Sequence, residues 1–352
     1  MEFLFHIEFN PARRTRVPSR SDSGLSVSAN KNKQGTVMHV ASSSRPLSRT
    51  RAVLFATVLC LAGSTALADL RLGVSVGQFD NYIAYLVRAM QERARQVPGG
   101  VTLQVEDSGS DVVRQLGQVE SFIAQQVDAI IVNPADTAAT GGITERATRA
   151  GIPLVYLNSR PEVREFPAGV VFVGTDERRL GQMQMEYLAE KMGGKGDLAI
   201  LLGRLAHDDT RKRTAGVKDV LARYPQIRVV EEQSGDWQRD KGLDLTNNWL
   251  SSGREFDAVV ANNDEMGIGA AMALRQAGRR EVSVGGIDGT PDGLAAIARG
   301  QLAVTLLRDP VAMGEEAVDV ALRLVRKDVV QGDVWIPVHL ITPDNHTQFQ
   351  RY

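Results

Sequence analysis

The chain has 352 residues, 43% hydrophobic and 24% charged, with 41 Lys and Arg against 42 Asp and Glu. That composition is globular, and the length calls for roughly two domains. The balanced charge withholds the bulk positive potential on which nucleic-acid binding draws.

Residues 1–68 differ from the rest. They are rich in Ser and Arg and poor in acids. The stretch "SRTRAVLFATVLCLAGSTALADL" then places Arg49 and Arg51 before an apolar run from Ala52 to Ala62, closed by Ala66-Leu67-Ala68. Basic segment, apolar segment and small-x-small site, in that order, make a secretory signal peptide cleaved after Ala68. The run is short for a bilayer span. Met38 lies at a natural distance upstream and is taken as the true start. The single cysteine, Cys60, falls inside the apolar run. A mature chain therefore carries no thiol, which excludes a disulfide framework and cysteine-based catalysis or metal binding.

From Asp69 onward short apolar runs alternate with amphipathic stretches. Strands are expected at Leu70–Val76, Thr102–Val105, Ala129–Val132 and Leu154–Leu157, and helices at Tyr82–Val97, Asp111–Gln126 and Gly141–Ala150. A second series begins near Asp176. Its strands are Leu198–Leu202, Val229–Glu232, Ala258–Ala261, Val282–Gly286 and Ala303–Leu307. Its helices are Glu177–Met192, Thr210–Ala222, Lys241–Ser251, Glu265–Ala277 and Pro291–Arg299. A helix at Pro310–Val325 and an extended stretch, Val334–Ile341, complete the chain. Such alternation makes βαβ units and parallel sheets. The strands are too many for one comfortable sheet. The fold class is therefore α/β, with two Rossmann-like lobes joined by short hinges and a cleft between them.

In open α/β sheets ligands bind beyond the carboxyl ends of the strands. After the first strand come Phe79, Asp80 and Tyr82; after the fourth, Asn158 and Arg160. In the second series Arg211 and Arg213 open a helix, where cations oppose the dipole and call for another reason to be there. Trp237 stands in a polar loop. "VVANNDEMGIGAAMAL" offers Asn263, read as facing the cleft, beside Asp264, read as the helix N-cap, with Met266 and Met272 in the core. Asp288 lies between glycines, and Arg308 ends "TLLR". Aromatic walls with Asp, Asn and Arg on several strand ends suit a sugar or polyol, whose C–H faces stack and whose hydroxyls seek charged partners.

Catalytic patterns are missing from the sequence. The histidines, His6, His39, His207, His339 and His346, have no metal-ligand spacing, and no nucleophile elbow or phosphate loop occurs. The carboxylate pairs Asp208/Asp209 and Asp264/Glu265 are adjacent and point about 100° apart on a helix. The reading is of a binding protein, not an enzyme, with no cofactor and no metal.

The motifs "NNDEMGIGA", "GIDGTPDG", "PLVYLNSRPE" and "NNWLSSGREFDAVVANND" resemble those of the periplasmic sugar-binding proteins of ABC importers, the ribose-binding type, and within them the branch that binds rhizopine or inositol. The resemblance spans the mature chain. It implies a type I periplasmic binding protein fold, with residues 69–175 plus 309–337 in one lobe and 176–308 plus 338–352 in the other. It implies a monomer in the periplasm that passes a small sugar or polyol to a membrane permease. The ligand contacts it carries over are Asp80, Tyr82, Asn158, Arg213, Trp237, Asn263 and Asp288. Two positions depart from the pattern. Arg308 stands where the family usually has Gln, and Ser159 followed by Arg160 where it usually has Arg after Asn158. Arg308 thus either suits a ligand bearing a carboxylate or pairs with Asp288 or Asp309. The same fold also serves chemoreceptor ligand presenters and lactose-repressor-type regulators. The latter need a helix-turn-helix where this chain has its signal-like leader.

Overall fold

The computed structural model describes residues 70–330 and 332–349. The leader, with Met38, Cys60 and the Ala68 site, lies outside the described residues. The first series runs β1 (Leu70–Val76), α1 (Asn81–Gln96), β2 (Val101–Asp107), α2 (Val112–Ala124), β3 (Ala129–Asn133), α3 (Gly141–Ala150), β4 (Leu154–Asn158) and β5 (Val170–Gly174). The second runs α4 (Glu177–Lys191), β6 (Lys195–Leu202), α5 (Asp208–Leu221), β7 (Gln226–Ser234), α6 (Arg239–Ser251), β8 (Ala258–Ala261), α7 (Asp264–Gln276), β9 (Ser283–Gly285), α8 (Pro291–Ala298) and β10 (Thr305–Arg308). Then follow α9 (Pro310–Val325), β11 (Asp333–Trp335), β12 (Val338–Ile341) and a 3-10 turn, His346–Phe349.

Local chemistry sets the helix starts. The side chains of Asp80, Asp111, Asp176, Asn263, Thr290 and Asp309 each accept a backbone N–H from the first turn of the helix they precede. Pro291 and Pro310 stand at the next position, where a missing N–H costs nothing.

One sheet has the order β11-β5-β4-β3-β1-β2, all parallel. Every residue of β3, β4 and β5 is buried, as in a sheet covered on both faces. The core on one face joins residues of α1 and α9, and that on the other joins residues of α2 and α3. A second parallel sheet has the order β7-β6-β8-β9. Backbone bonds from Ala303 N to Val284 O at 2.7 Å and from Asp288 N to Leu306 O at 2.8 Å continue it towards β10, which pairs antiparallel with β12. Leu180 and Val217, from α4 and α5, share one core with this sheet; Trp249, Met266 and Ile297, from α6, α7 and α8, share the other. The strand order therefore reverses at β1 in one sheet and at β6 in the other. Each reversal opens a crevice at the carboxyl ends.

The sequence expectation lacks β5. "VVFVG" is a short, fully buried run with neither alternation nor helical period to announce it. The expected single stretch Val334–Ile341 is two strands. Pro337 separates them, and they belong to different sheets, β11 beside β5 and β12 beside β10. The chain thus passes between the sheets at Thr175–Asp176, at Asp309 and at Ile336–Pro337.

Candidate functional site

The carboxyl ends of both sheets face one cavity. Gln78, Asp80, Tyr82, Ile83, Asn133 and Asn158 line it from the first sheet. Arg204, His207, Asp209, Arg213, Trp237, Asn263, Asp288 and Arg308 line it from the second and its edge. Direct bonds join the halves around it. Ser159 Oγ donates to Asp209 Oδ2 at 2.6 Å, Asn81 Nδ2 donates to Glu265 Oε1 at 3.1 Å, and Arg211 pairs with Glu162.

Arg308 is 2% exposed, and each of its three guanidinium nitrogens has a partner. Its Nε donates to Thr175 Oγ1 at 2.9 Å, and its Nη2 donates to Asn158 Oδ1 at 2.8 Å and lies 2.9 Å from Glu177 Oε1. Its Nη1 reaches Asp288 Oδ1 at 3.3 Å. The guanidinium carbon lies 5.0 Å from the Tyr82 ring centre, and the Tyr82 hydroxyl donates to the Arg308 carbonyl at 2.6 Å. Arg213 Nε donates to the other Glu177 oxygen at 2.6 Å, its Nη1 donates to the Asn262 carbonyl, and its guanidinium carbon lies 5.3 Å from the Trp237 ring centre. Gly181 permits this arrangement. A Cβ there would overlap the Arg213 carbonyl, so only glycine lets α4 and α5 approach closely enough to set Glu177 beside Arg213.

Burial dominates the ionisation of the site. It pushes Asp80 up, and it raises Asp288 against the pull of Arg213 and Arg308. Burial and then the Glu177 charge push Asp209 to about 6. Burial also opposes charge on Glu177, but Arg213 and Arg308 outweigh it and hold that carboxyl low. Backbone strain collects here too. Trp237 and Asp288 have φ of 72° and 131°, values that such residues rarely adopt unless the surroundings impose them, and Asn158 has φ of 70°, in the left-handed region that Asn tolerates.

Eight of the ten residues expected at the site line the cavity: Asp80, Tyr82, Asn158, Arg213, Trp237, Asn263, Asp288 and Arg308. Ser159 and Arg160 do not. Ser159 is fully buried one step behind, holding Asp209. Arg160 turns away, bonding Asp333 Oδ1 at 3.0 Å with its guanidinium carbon 4.8 Å from the Phe166 ring centre. The helix start is also corrected. Asn263, not Asp264, caps α7, its Oδ1 accepting from Met266 N at 3.0 Å while its Nδ2 donates to the Trp237 carbonyl at 3.1 Å. Asp264 lies fully buried beneath, accepting from Thr290 N at 2.9 Å and Thr305 Oγ1 at 2.5 Å, and burial pushes it up to about 8. Met266 is core, but Met272 is 36% exposed. Of the two arginines that open α5, Arg213 lines the cavity, whereas Arg211 is exposed and pairs with Glu162.

Asn133 was missed although it ends β3 as Asn158 ends β4, and the strand-end rule that found one finds the other. Gln78, Arg204, His207 and Asp209 lie in loops or a helix start whose direction no periodicity reveals. Glu177 carried no signal, because its role exists only where α4 meets α5 and β10.

A family model described as a periplasmic binding protein domain matches residues 72–328. A putative rhizopine-binding protein of Rhizobium meliloti is 43% identical over 292 residues, covering 82% of this chain and 94% of the relative. A xylitol-binding protein of Mycolicibacterium smegmatis is 34% identical over 311 residues, covering 88% of this chain and 88% of the relative. Among solved structures, an ABC transporter solute-binding protein from Bacillus halodurans with bound myo-inositol aligns with a TM-score of 0.76 at 37% identity, covering 80% of this chain and 97% of that one. Two crevices that meet at one polar cavity, on a chain matched over most of its length, lead to one conclusion: the chain belongs to the periplasmic binding protein family.

Proposed function

We propose that the cavity captures one molecule of a cyclic polyol or sugar between the two lobes, and that the protein works in the periplasm as the solute-binding component of an ABC importer. The carrying observation is the convergence of donors and acceptors from the strand ends of both sheets on one cavity, with Tyr82 and Trp237 among its walls. A ligand held by both halves favours the closed arrangement through contacts that the open one lacks, which is hinge closure. The relatives named for rhizopine and xylitol, and the neighbour holding myo-inositol, support a polyhydroxylated ligand. The lobes follow the sheets, with residues 69–175 and 309–337 in one and 176–308 and 338–352 in the other. Asp80, Asn158, Asn263 and Asp288 read hydroxyls. The leader is cleaved after Ala68, and the closed monomer docks on a membrane permease.

Charge narrows the ligand. Arg308 pairs with Asp288 and Glu177, and Glu177 also takes Arg213. Arg204 bonds Gln78 and Ser110. Asp209 keeps one hydroxyl donor, Ser159. The arginines are thus committed, and neutral polyols suit the cavity better than sugar acids. Melting-temperature shifts and calorimetry on the purified protein test this, with myo-inositol, xylitol, ribose and glucuronate as ligands. Binding of the neutral compounds and neglect of glucuronate supports the reading; preference for the acid overturns it.

A further inference from the structure

The Trp237 wall needs an explanation that its own segment does not supply. Asp236 and Trp237 are consecutive non-glycine residues with φ of 51° and 72°, so the loop after β7 is held in a shape it would not choose alone. Three contacts fix Trp237, one at its backbone and two at its ring. Asn263 Nδ2 holds the backbone carbonyl at 3.1 Å. Gly203 lies so close under the ring that a Cβ there would overlap it. The third is the only polar contact to the ring edge among the described residues: the indole Nε1–H donates to His207 Nδ1 at 3.2 Å, with ring centres 6.1 Å apart.

His207 is itself pinned. It stands at the N-cap position of α5 but makes no side-chain cap bond, so its imidazole is free for another task. Its backbone N–H donates to Arg204 O at 3.0 Å, and the next residue, Asp208, donates its N–H to Thr137 Oγ1 of the opposite lobe at 3.0 Å. The imidazole faces the Ala135 backbone of that lobe, and its Nε2 is buried with no hydrogen-bond partner among the described residues. The indole can only donate, so Nδ1 accepts and the ring proton sits on Nε2. Burial first, then the Arg204 charge with help from Arg213, holds the imidazole down at about 4 against the opposing pull of Asp136. The acceptor is therefore present throughout the neutral range.

We propose that His207 is a positioning residue for ligand binding: by accepting the indole N–H of Trp237 it sets the angle at which the aromatic wall faces the cavity. The affinity arm of this inference rests on the polyol reading above; a spectroscopic arm does not. The rival explanation is that the imidazole merely fills space between Trp237 and Ala135.

Two variants separate these explanations. His207→Asn keeps an acceptor oxygen near the position of Nδ1 but sheds ring volume, whereas His207→Phe keeps a ring and removes the acceptor. The chain has three tryptophans, so its indole N–H proton resonances are few, and Trp237→Phe assigns the relevant one. In the ligand-free protein the Trp237 resonance should stay downfield and slow to exchange in wild type and His207→Asn, and move upfield with faster exchange in His207→Phe. Calorimetry with whichever neutral polyol binds wild type should show at least a tenfold loss for His207→Phe and less than a threefold loss for His207→Asn. Equal resonances in the two variants, or a greater affinity loss for His207→Asn than for His207→Phe, would overturn the proposal. Failure of wild type to bind any polyol would overturn the functional reading alone, and the resonance comparison would still decide the role of His207.

Discussion

Arg308 and Glu177 form an ion pair at 2.9 Å, and both side chains are under 5% exposed. Thr175 and Glu177 lie where the chain first leaves one lobe, and Arg308 where it leaves the other. The pair therefore ties two crossing segments together, and through Arg213 Nε at 2.6 Å from Glu177 it also fixes the cavity floor. Removing one partner strands buried charge, which costs far more than the pair contributes. Glu177→Ala should lower unfolding stability by about 3–5 kcal/mol, and Glu177→Gln by less, read by denaturant titration. Unchanged stability in Glu177→Ala would show that the two arginines find other partners or water.

Trp237 and Asp288 should divide the binding energy differently. Trp237→Ala removes an aromatic wall and should weaken polyol binding by about 1–3 kcal/mol. Asp288→Ala leaves Arg308 and nearby donors short of an acceptor and should abolish measurable binding. Calorimetry checks both, and tight binding by Asp288→Ala would remove that carboxylate from the ligand contacts.

Asp209 should make the ligand-free protein sensitive to pH. Its folded value, about 6, is above the ordinary 3.8. A raised value means the stabilising effect is fully present below about pH 4 and lost as pH rises through about 6. Asp209→Asn removes this penalty while keeping an acceptor for Ser159. The difference in melting temperature between Asp209→Asn and wild type should therefore be larger at pH 7.5 than at pH 4.5, with an upper bound on the order of 3 kcal/mol. A difference independent of pH would mean that Asp209 titrates alike in the folded and unfolded chain.

Asp264 should prove structural rather than ligand-reading. It accepts from Thr290 and Thr305 beneath α7 and α8. Asp264→Asn should leave polyol affinity within about threefold, whereas Asp264→Ala should cost about 1–3 kcal/mol of stability by orphaning buried donors. A large affinity loss in Asp264→Asn with stability intact would put Asp264 among the ligand contacts.

Most elements were legible because their signals are local. Asp80 ahead of Asn81, and Pro291 and Pro310 at helix starts, announce themselves within a few residues. β5 was not, since a buried five-residue run has no period. The site was legible where a polar residue ends an apolar strand, as with Asn158 and Arg308. It was misread where two neighbours compete for one local job. Asn263 and Asp264 are both good caps, and only the position of Thr290 and Thr305 under Asp264 decides that Asn263 caps the helix.

Sequence by itself determined the α/β alternation, the two series of strands and the strand-end residues, because hydrophobic period and capping chemistry act over one to four residues. Tertiary structure alone decided which charges meet. From the sequence Arg308 could serve an acidic ligand or pair with Asp288 or Asp309; the structure pairs it with Asp288 and with Glu177, 131 residues earlier in the chain. Coulomb energy depends on distance in space, and a sequence records only distance along the chain.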